Sequence, residues 1–71
     1  MDLTNKTIKI VKMEAHYAPS RTIATVEITS ELSPDVQQLH ASFTVLLDKM
    51  YMTSKDIALI DAVKTKLELL P

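Results

Sequence analysis

The residues most able to do chemistry are the two histidines, His16 and His40, because imidazole is both a metal ligand and a general base. If the segments around them are strands, Glu14 and Glu31 share their face. Neither histidine lies in an H-x-E-x-H or HExxH pattern, which would bring ligands together on one element. The same strands would place the histidines at opposite ends of a sheet. The sequence therefore predicts two surface histidines, with no metal site and no cofactor.

Catalysis by a nucleophile would need an activated hydroxyl, and the serines of this chain are ordinary ones. None lies in a G-x-S-x-G elbow or at a spacing that places a base beside it. The carboxylates Asp56 and Asp61 belong to the start and the surface of a predicted helix. A domain this small has little room for the concave pocket of roughly 300 Å³ or more that a substrate needs. We predict that the protein is not an enzyme. The serines considered are Ser20, Ser30, Ser33, Ser42 and Ser54.

Nucleic-acid binding would need a basic face with arginines or stacking aromatic residues. The chain has one arginine, two tyrosines and one phenylalanine, and its net charge is −1. Glu14 and Glu27 interrupt the basic residues of the first predicted strand. A weak nucleic-acid-binding accessory protein therefore remains the alternative function. The residues that would contact phosphates are Lys6, Lys9, Lys12 and Arg21.

Length and composition indicate one small domain. A chain of 71 residues is near the lower limit for a self-sufficient core, so association with a partner is a common support. There is no cysteine, which excludes disulfides and favours a reducing compartment. The N-terminus lacks the pattern of a signal peptide, and no apolar run is long enough to cross a bilayer. The sequence predicts a cytoplasmic protein with residues 1–6 frayed.

One amphipathic helix is predicted at the C-terminal end. Thr53 is a suitable N-cap, and Asp56 follows it at the spacing of a capping box. Apolar residues then recur at helical spacing as far as Leu70. This helix must bury its apolar side against the rest of the chain. The predicted apolar positions are Ile57, Leu59, Ile60, Val63, Leu67 and Leu70.

Two segments of alternating, β-branched residues precede it, TIKIVKMEAHYA and RTIATVEITSEL. Residues 18–21, APSR, predict a four-residue loop built on a type I turn, which needs no glycine. Pairing Tyr17 with Thr22 across this loop places apolar residues opposite each other on one face. The opposed pairs in this predicted register include Met13 with Val26 and Lys12 with Glu27.

Residues 34–50 fit two structures. Residues 33–35 form a good helix opening, and Val36, Leu39 and Phe43 fit a helical stripe. Yet the same segment alternates cleanly between apolar and polar residues, and SFTVLL is β-prone. The predicted fold is α+β, a three-stranded antiparallel β-meander with one C-terminal helix on one face (β-β-β-α). The alternative is a β-hairpin followed by two helices.

Apolar residues are left over after this predicted core is filled. Some fall on the outer face of the sheet, and a ridge of mostly small residues follows the outward side of the helix. Such a surplus favours association, either with a second copy or with another protein. We expect a non-catalytic protein-interaction or regulatory module that self-associates as a homodimer and acts by binding a protein partner. A short chain without glycine or cysteine is of the type found among small accessory proteins of phages and mobile elements. The predicted interface residues are Ile8, Ile10, Ile23, Leu46, Ala58, Ala62 and Leu69.

Overall fold

The computed structural model describes all 71 residues, Met1–Pro71, and contains three strands and one helix. The strands form one antiparallel sheet in the order β1-β2-β3, and the helix packs on one of its faces. The predicted β-β-β-α fold is confirmed, and the alternative with two helices is wrong. The elements are β1 (Thr7–His16), β2 (Arg21–Ser33), β3 (Val36–Leu47) and α1 (Ile57–Glu68).

The ambiguous segment forms β3 because its alternation satisfies the sheet. Val45 and Leu47 are buried under the helix, whereas Thr44 and Leu46 between them are exposed. Pro34 and Asp35 form the turn between β2 and β3 instead of opening a helix. In that turn the backbone N–H of Asp35 donates to the Ser33 hydroxyl, at 3.4 Å.

The strand registers differ from the predicted ones by two residues. Met13 pairs with Ala24, and Val26 pairs with Phe43 on its other side. The first difference arises at the turn, where the loop is Tyr17–Ser20 with a cis bond between Ala18 and Pro19. A shift of two residues keeps Met13, Ala24 and Val26 on the predicted face. Tyr17, which was predicted to pair with Thr22 on that face, instead lies in the loop and is 82% exposed.

A bulge in β1 changes which side chains of that strand face the core. The pairing of β1 with β2 shifts between Ile10 and Lys12, so Val11 is an extra residue. Upstream of the bulge, Ile8 lies opposite Ile28 and Ile10 opposite Val26. Ile8 and Ile10 are half-buried and pack against the core. The prediction that these two isoleucines lie on the outer face is wrong, because one inserted residue reverses the alternation.

The helix begins at Ile57, later than predicted. Its N-cap is Asp56, whose carboxylate accepts the backbone N–H of Ala58 at 2.9 Å. Thr53, the predicted cap, instead accepts the N–H of Lys55 in a separate turn. Ile57 is 74% exposed, so it is not part of the buried side. The buried helix residues are Leu59, Val63 and Leu67.

The N-terminal residues pack onto the end of the helix, although fraying was predicted. Met1 and Leu3 contact the core, and the terminal ammonium donates to the carbonyl oxygens of Glu68 and Leu70. These carbonyls belong to the last turn, where a positive charge is favourable. A hydrogen bond from Thr4 lowers the pKa of the Asp2 carboxyl below its usual value. The segment therefore extends the cover of the sheet beyond the helix.

A single buried hydroxyl fixes the connection between β3 and α1. Thr22 is fully buried, and its hydroxyl donates to the carbonyl oxygen of Lys49 at 2.8 Å. The hydroxyl oxygen of Thr22 in turn accepts a hydrogen bond from the backbone N–H of Tyr51 at 3.0 Å. Both polar backbone groups lie close to the apolar core, where an unpaired group is costly. The Thr22 hydroxyl therefore holds the chain at the point where it turns back over the sheet.

The helix covers only part of the sheet. Its 12 residues span about 18 Å, whereas the 13 residues of β2 span about 43 Å. The buried stretch of β2, Thr22 to Ile28, accounts for about 20 Å of that length. Thr7, the first residue of β1, pairs with Thr29, so β1 has no partner for the rest of β2. Residues 30–40 of β2 and β3 therefore form a two-stranded extension, called here the arm. The helix is also too short to cross a membrane.

We predict that Thr22→Val lowers the free energy of unfolding by about 1–3 kcal/mol, because it leaves the Lys49 and Tyr51 backbone groups unpaired. Thr22→Ser keeps the hydroxyl and should cost about 1 kcal/mol for the lost methyl group. Urea unfolding at one fixed protein concentration measures both. Equal stability of Thr22→Val and the wild type would contradict the proposed role of the hydroxyl.

The helix contacts lead to a second prediction. Leu59→Ala should lower the free energy of unfolding by about 2–5 kcal/mol, since Leu59 is fully buried. Ile57→Ala, on the same helix but exposed, should change it by less than about 0.5 kcal/mol. Thermal unfolding of the two variants compares them. Similar losses from both would mean that the helix buries a different side.

Candidate interaction surface

The two histidines contact different residues on different faces of the sheet. His16 lies with Glu14 on the outer face of β1, with 4.0 Å between Nε2 and a carboxylate oxygen. His40 was predicted on that face opposite Glu31. Instead its ring contacts the hydroxyl of Ser30. Ser30 is two residues from buried Ile28 along β2, so it lies on the same face of the sheet as the helix. No group of three or more His, Cys, Asp or Glu side chains is placed to hold a metal ion.

The basic residues of the first strand do not form a continuous strip. Lys9 lies directly opposite Glu27, and Lys12 forms an ion pair with Glu14 at 3.8 Å. Lys6 is half-buried in a depression next to Leu3, on the side of the helix. The positive charges are therefore divided between two faces, and two of them have acidic neighbours.

A groove lined mainly by apolar side chains runs along the β3 edge of the sheet, and a second depression lies beside Val11 at the β1 edge. The groove encloses about 240 Å³ between the outer strand β3 and the last turns of the helix. Phe43 forms its floor and is only half-buried, and Leu70 is 39% exposed. The complete lining is Phe43, Thr44, Val45, Leu46, Lys66, Leu67 and Leu70.

The two edges of the sheet differ in how well they are protected. The free edge of β1 carries the bulge at Val11 and the charged residues Lys9, Lys12 and Glu14. Bulges and charges, lysine above all, are the usual means of preventing another strand from pairing. β3 contains no Lys, Arg, Asp or Glu from Val36 to Leu47. It also has no bulge from Ala41 to Leu47, where its pairing with β2 is regular.

The predicted interface residues fall into two groups. Ile8 and Ile10 are part of the covered face and do not join the others. Ile23 and Leu46 lie opposite each other on the outer face, and Leu46 is 65% exposed. On the helix, Ala58 and Leu69 are exposed, whereas Ala62 is half-buried and packs against the core.

The helix residues of the predicted interface lie on the side of the helix toward the free edge of β3. Lys66 lines the groove beside β3, whereas Ile60 and Lys64 line a depression beside Ile8 of β1. At 100° per residue, Ala58, Ala62 and Leu69 fall on the Lys66 side. The helix itself packs closest to β3. The free edge of β3, the groove, and residues 58, 62 and 69 are together called here the β3 surface, and the helix meets β3 in this surface at Lys66, Leu67 and Leu70.

The isolated chain exposes more area than its mass requires. Its accessible surface is 5097 Å², whereas a compact monomer of its mass exposes about 4,450 Å². Its radius of gyration is 12.8 Å, against about 11.1 Å for a compact chain of this length. Only 10 of the 71 residues are buried, which is consistent with a fold that leaves apolar surface for a partner.

Sequence reasoning missed the free edge of β3, which is the most specific feature of this surface. The signal was present, because residues 36–47 form the longest stretch without a formal charge in the chain's strands. Its meaning depends on β3 being an outer strand, which the sequence left undecided. Comparison of the chain with protein-family models, curated proteins and solved structures returned no match.

Proposed function

We propose that the protein is a non-catalytic interaction module that self-associates through the free edge of β3. The observation that carries this proposal is a 12-residue outer strand without a single formal charge. An unprotected edge of this length offers a row of backbone donors and acceptors to another strand. A chain without cysteine suits a reducing compartment, so the proposal places the module in the cytoplasm.

The side chains on β3 suit such pairing. Thr44 and Leu46 project from the outer face, and Phe43 and Val45 project toward the helix. β-branched and aromatic residues in opposed pairs stabilise an antiparallel ladder, and no like charges would meet. Leu46 and Phe43 would each lose solvent contact when a strand is added beside them. Backbone pairing and apolar burial therefore act on the same edge.

The protected edge of β1 explains why association would stop. A sheet with two open edges can add copies without limit, whereas one open edge permits a closed pair. The bulge at Val11 and the charges of Lys9 and Lys12 block the second edge. The expected product is a dimer with a continuous sheet of six strands.

Nucleic-acid binding is the weaker proposal. Lys9 and Lys12 have acidic neighbours, Glu27 and Glu14, which reduce the charge available to phosphates. Lys6 lies against the helix side of the molecule. No aromatic side chain accompanies these lysines on the outer face of β1.

A lysine on the open edge should weaken self-association. We expect Thr44→Lys to raise the dimer dissociation constant about tenfold or more, because it places charge on a strand that needs none. Thr7→Lys is the matched control. Both threonines are exposed on outer strands and lie opposite a threonine of β2, Thr44 opposite Thr25 and Thr7 opposite Thr29. Light scattering over a concentration series measures the mass of each protein.

Thr7→Lys should leave the dissociation constant unchanged. A wild-type protein that stays monomeric at every concentration would contradict the proposed function. Equal effects of the two lysines would contradict the assignment to β3. Circular dichroism of both variants checks that the monomer fold is retained.

The alternative makes a different prediction. The alternative requires four phosphate contacts, from Lys6, Lys9, Lys12 and Arg21. A plot of the logarithm of the binding constant against the logarithm of the salt concentration would then have a slope of about −3.6. We expect a fluorescence titration with labelled duplex DNA at low salt to show no such binding. Binding with that slope would favour the alternative over the proposed module.

A further inference from the structure

We infer that two copies pair β3 with β3 about a two-fold axis beside Thr44, and that their helices pack antiparallel across the axis and close the groove. This inference rests on the proposed function and specifies its partner: a second copy of this chain, in one register. Three features of the structure carry it, namely the face on which each β3 residue lies, the extent of the regular strand, and the side of the sheet edge on which the helix lies.

The covered face restricts the possible registers. A two-fold axis perpendicular to the sheet keeps both helices on the same side. Opposed residues of an antiparallel pair project to the same side, so a covered residue must face a covered residue. Phe43 and Val45 alternate with Thr44 and Leu46. Only registers centred on a residue paired with its own copy satisfy this condition.

The length of the regular strand selects the centre. β3 pairs with β2 without interruption from Ala41 to Leu47, and the irregularity at His40 breaks the ladder on the arm side. A register centred on Thr44 pairs all seven residues of this stretch with the same stretch of the second copy. Any other centre leaves part of it unpaired. In this register Phe43 faces Val45 of the second copy, and Ser42 faces its Leu46.

The helices then come within packing distance of each other. Two paired strands lie about 4.8 Å apart, so the axis is about 2.4 Å from each β3. Packed helices need an axial separation of about 8–10 Å, which places each helix about 4–5 Å from the two-fold axis. The helix has its closest backbone contacts with β3, the strand nearest the axis, and the inference requires this separation between the two copies.

The facing side of the helix suits a close antiparallel contact. Ala58 and Ala62 are small, which lets a second helix approach, and Leu69 at the C-cap is 77% exposed. The groove places Thr44 beside Lys66, Leu67 and Leu70, so a two-fold axis there brings the last turns of the two helices, with Leu69, toward each other. Lys66 can lay its aliphatic chain along the groove while its ammonium reaches solvent. The same contact covers Phe43 and Leu70.

The exposed apolar surface extends over two elements. Leu46 on β3 is 65% exposed and Leu69 at the end of the helix is 77% exposed, and a standard interface buries about 800 Å² on each partner. A smaller partner such as a single peptide strand would cover the edge and leave the helix ridge exposed. A second copy covers both parts of the β3 surface at once.

Cysteine cross-linking tests the register, since the chain has no cysteine of its own. Thr44→Cys should form a disulfide-linked dimer under mild oxidation, because directly opposed residues lie about 4.5–5.5 Å apart, within disulfide range. Ser42→Cys alone should not link, because two copies of Ser42 would lie four residues apart along the paired strands, about 13 Å. Non-reducing gels measure the linked fraction.

The pairing itself has a positive test. Ser42→Cys mixed with Leu46→Cys, reduced together and then oxidised, should give a linked heterodimer although neither links alone. Thr44→Cys in denaturant is the control for random collision and should stay monomeric. Linking of Ser42→Cys with itself would place the axis elsewhere and overturn the inference.

Substitutions on the helix test the second half of the interface. Leu69→Gln should raise the dimer dissociation constant about fivefold or more, as expected for an interface side chain of this size. Ile57→Gln is the matched control, since Ile57 is 74% exposed on the other side of the same helix, and should have no effect. Equal effects of the two substitutions would overturn the helix contact.

The outcomes separate this inference from the proposed function. A monomeric wild type overturns both. A dimer that Thr44→Lys dissociates, but in which Ser42→Cys links with itself, supports edge pairing and overturns the register. A dimer in which Thr44→Cys links and Leu69→Gln weakens association supports both.

Discussion

The mismatch in length between one short helix and a long sheet determines most of this molecule. Twelve residues of helix span about 18 Å, and only the part of the sheet beneath the helix and the N-terminal segment is covered. The Thr22 hydroxyl decides where the span begins, because it binds the backbone of Lys49 and Tyr51 as the chain leaves β3. The covered part therefore starts at the β1-β2 turn and ends near Ile28. The rest of β2 and β3 continues without cover.

The element types could be predicted from the sequence because they follow from short-range alternation. Residues 7–32 alternate strongly enough to predict two strands, and the inward face of Ala24, Val26 and Ile28 was correct despite a register error. The predictions that failed depended on single residues that no local pattern distinguishes. Val11 enters β1 as a bulge and transfers Ile8 and Ile10 to the core, and no local pattern marks that residue as extra. Asp56 likewise displaced Thr53 as the cap, since both residues suit that role.

The candidate surface was predictable only in part, for a related reason. Leu46, Ala58 and Leu69 were identified because they fall outside the predicted core, which needs only periodicity. Their joining into one surface with the β3 edge needs the helix to pack close to β3, and that is a tertiary fact. Side-chain patterns also say little about backbone donors and acceptors, so the free edge itself was visible only after the strand order was known.

The two edges of this sheet differ in how easily another strand could pair with them. A core with only 10 buried residues gains stability from any partner that covers Phe43 and Leu46. An open strand on both sides would make that gain a cause of aggregation. The inserted Val11 resolves this conflict: it bends the β1 edge away from pairing and at the same time directs two isoleucines inward, where they add to a small core. One residue thus adds to the core of the monomer and, under the proposed function, would restrict association to the β3 side.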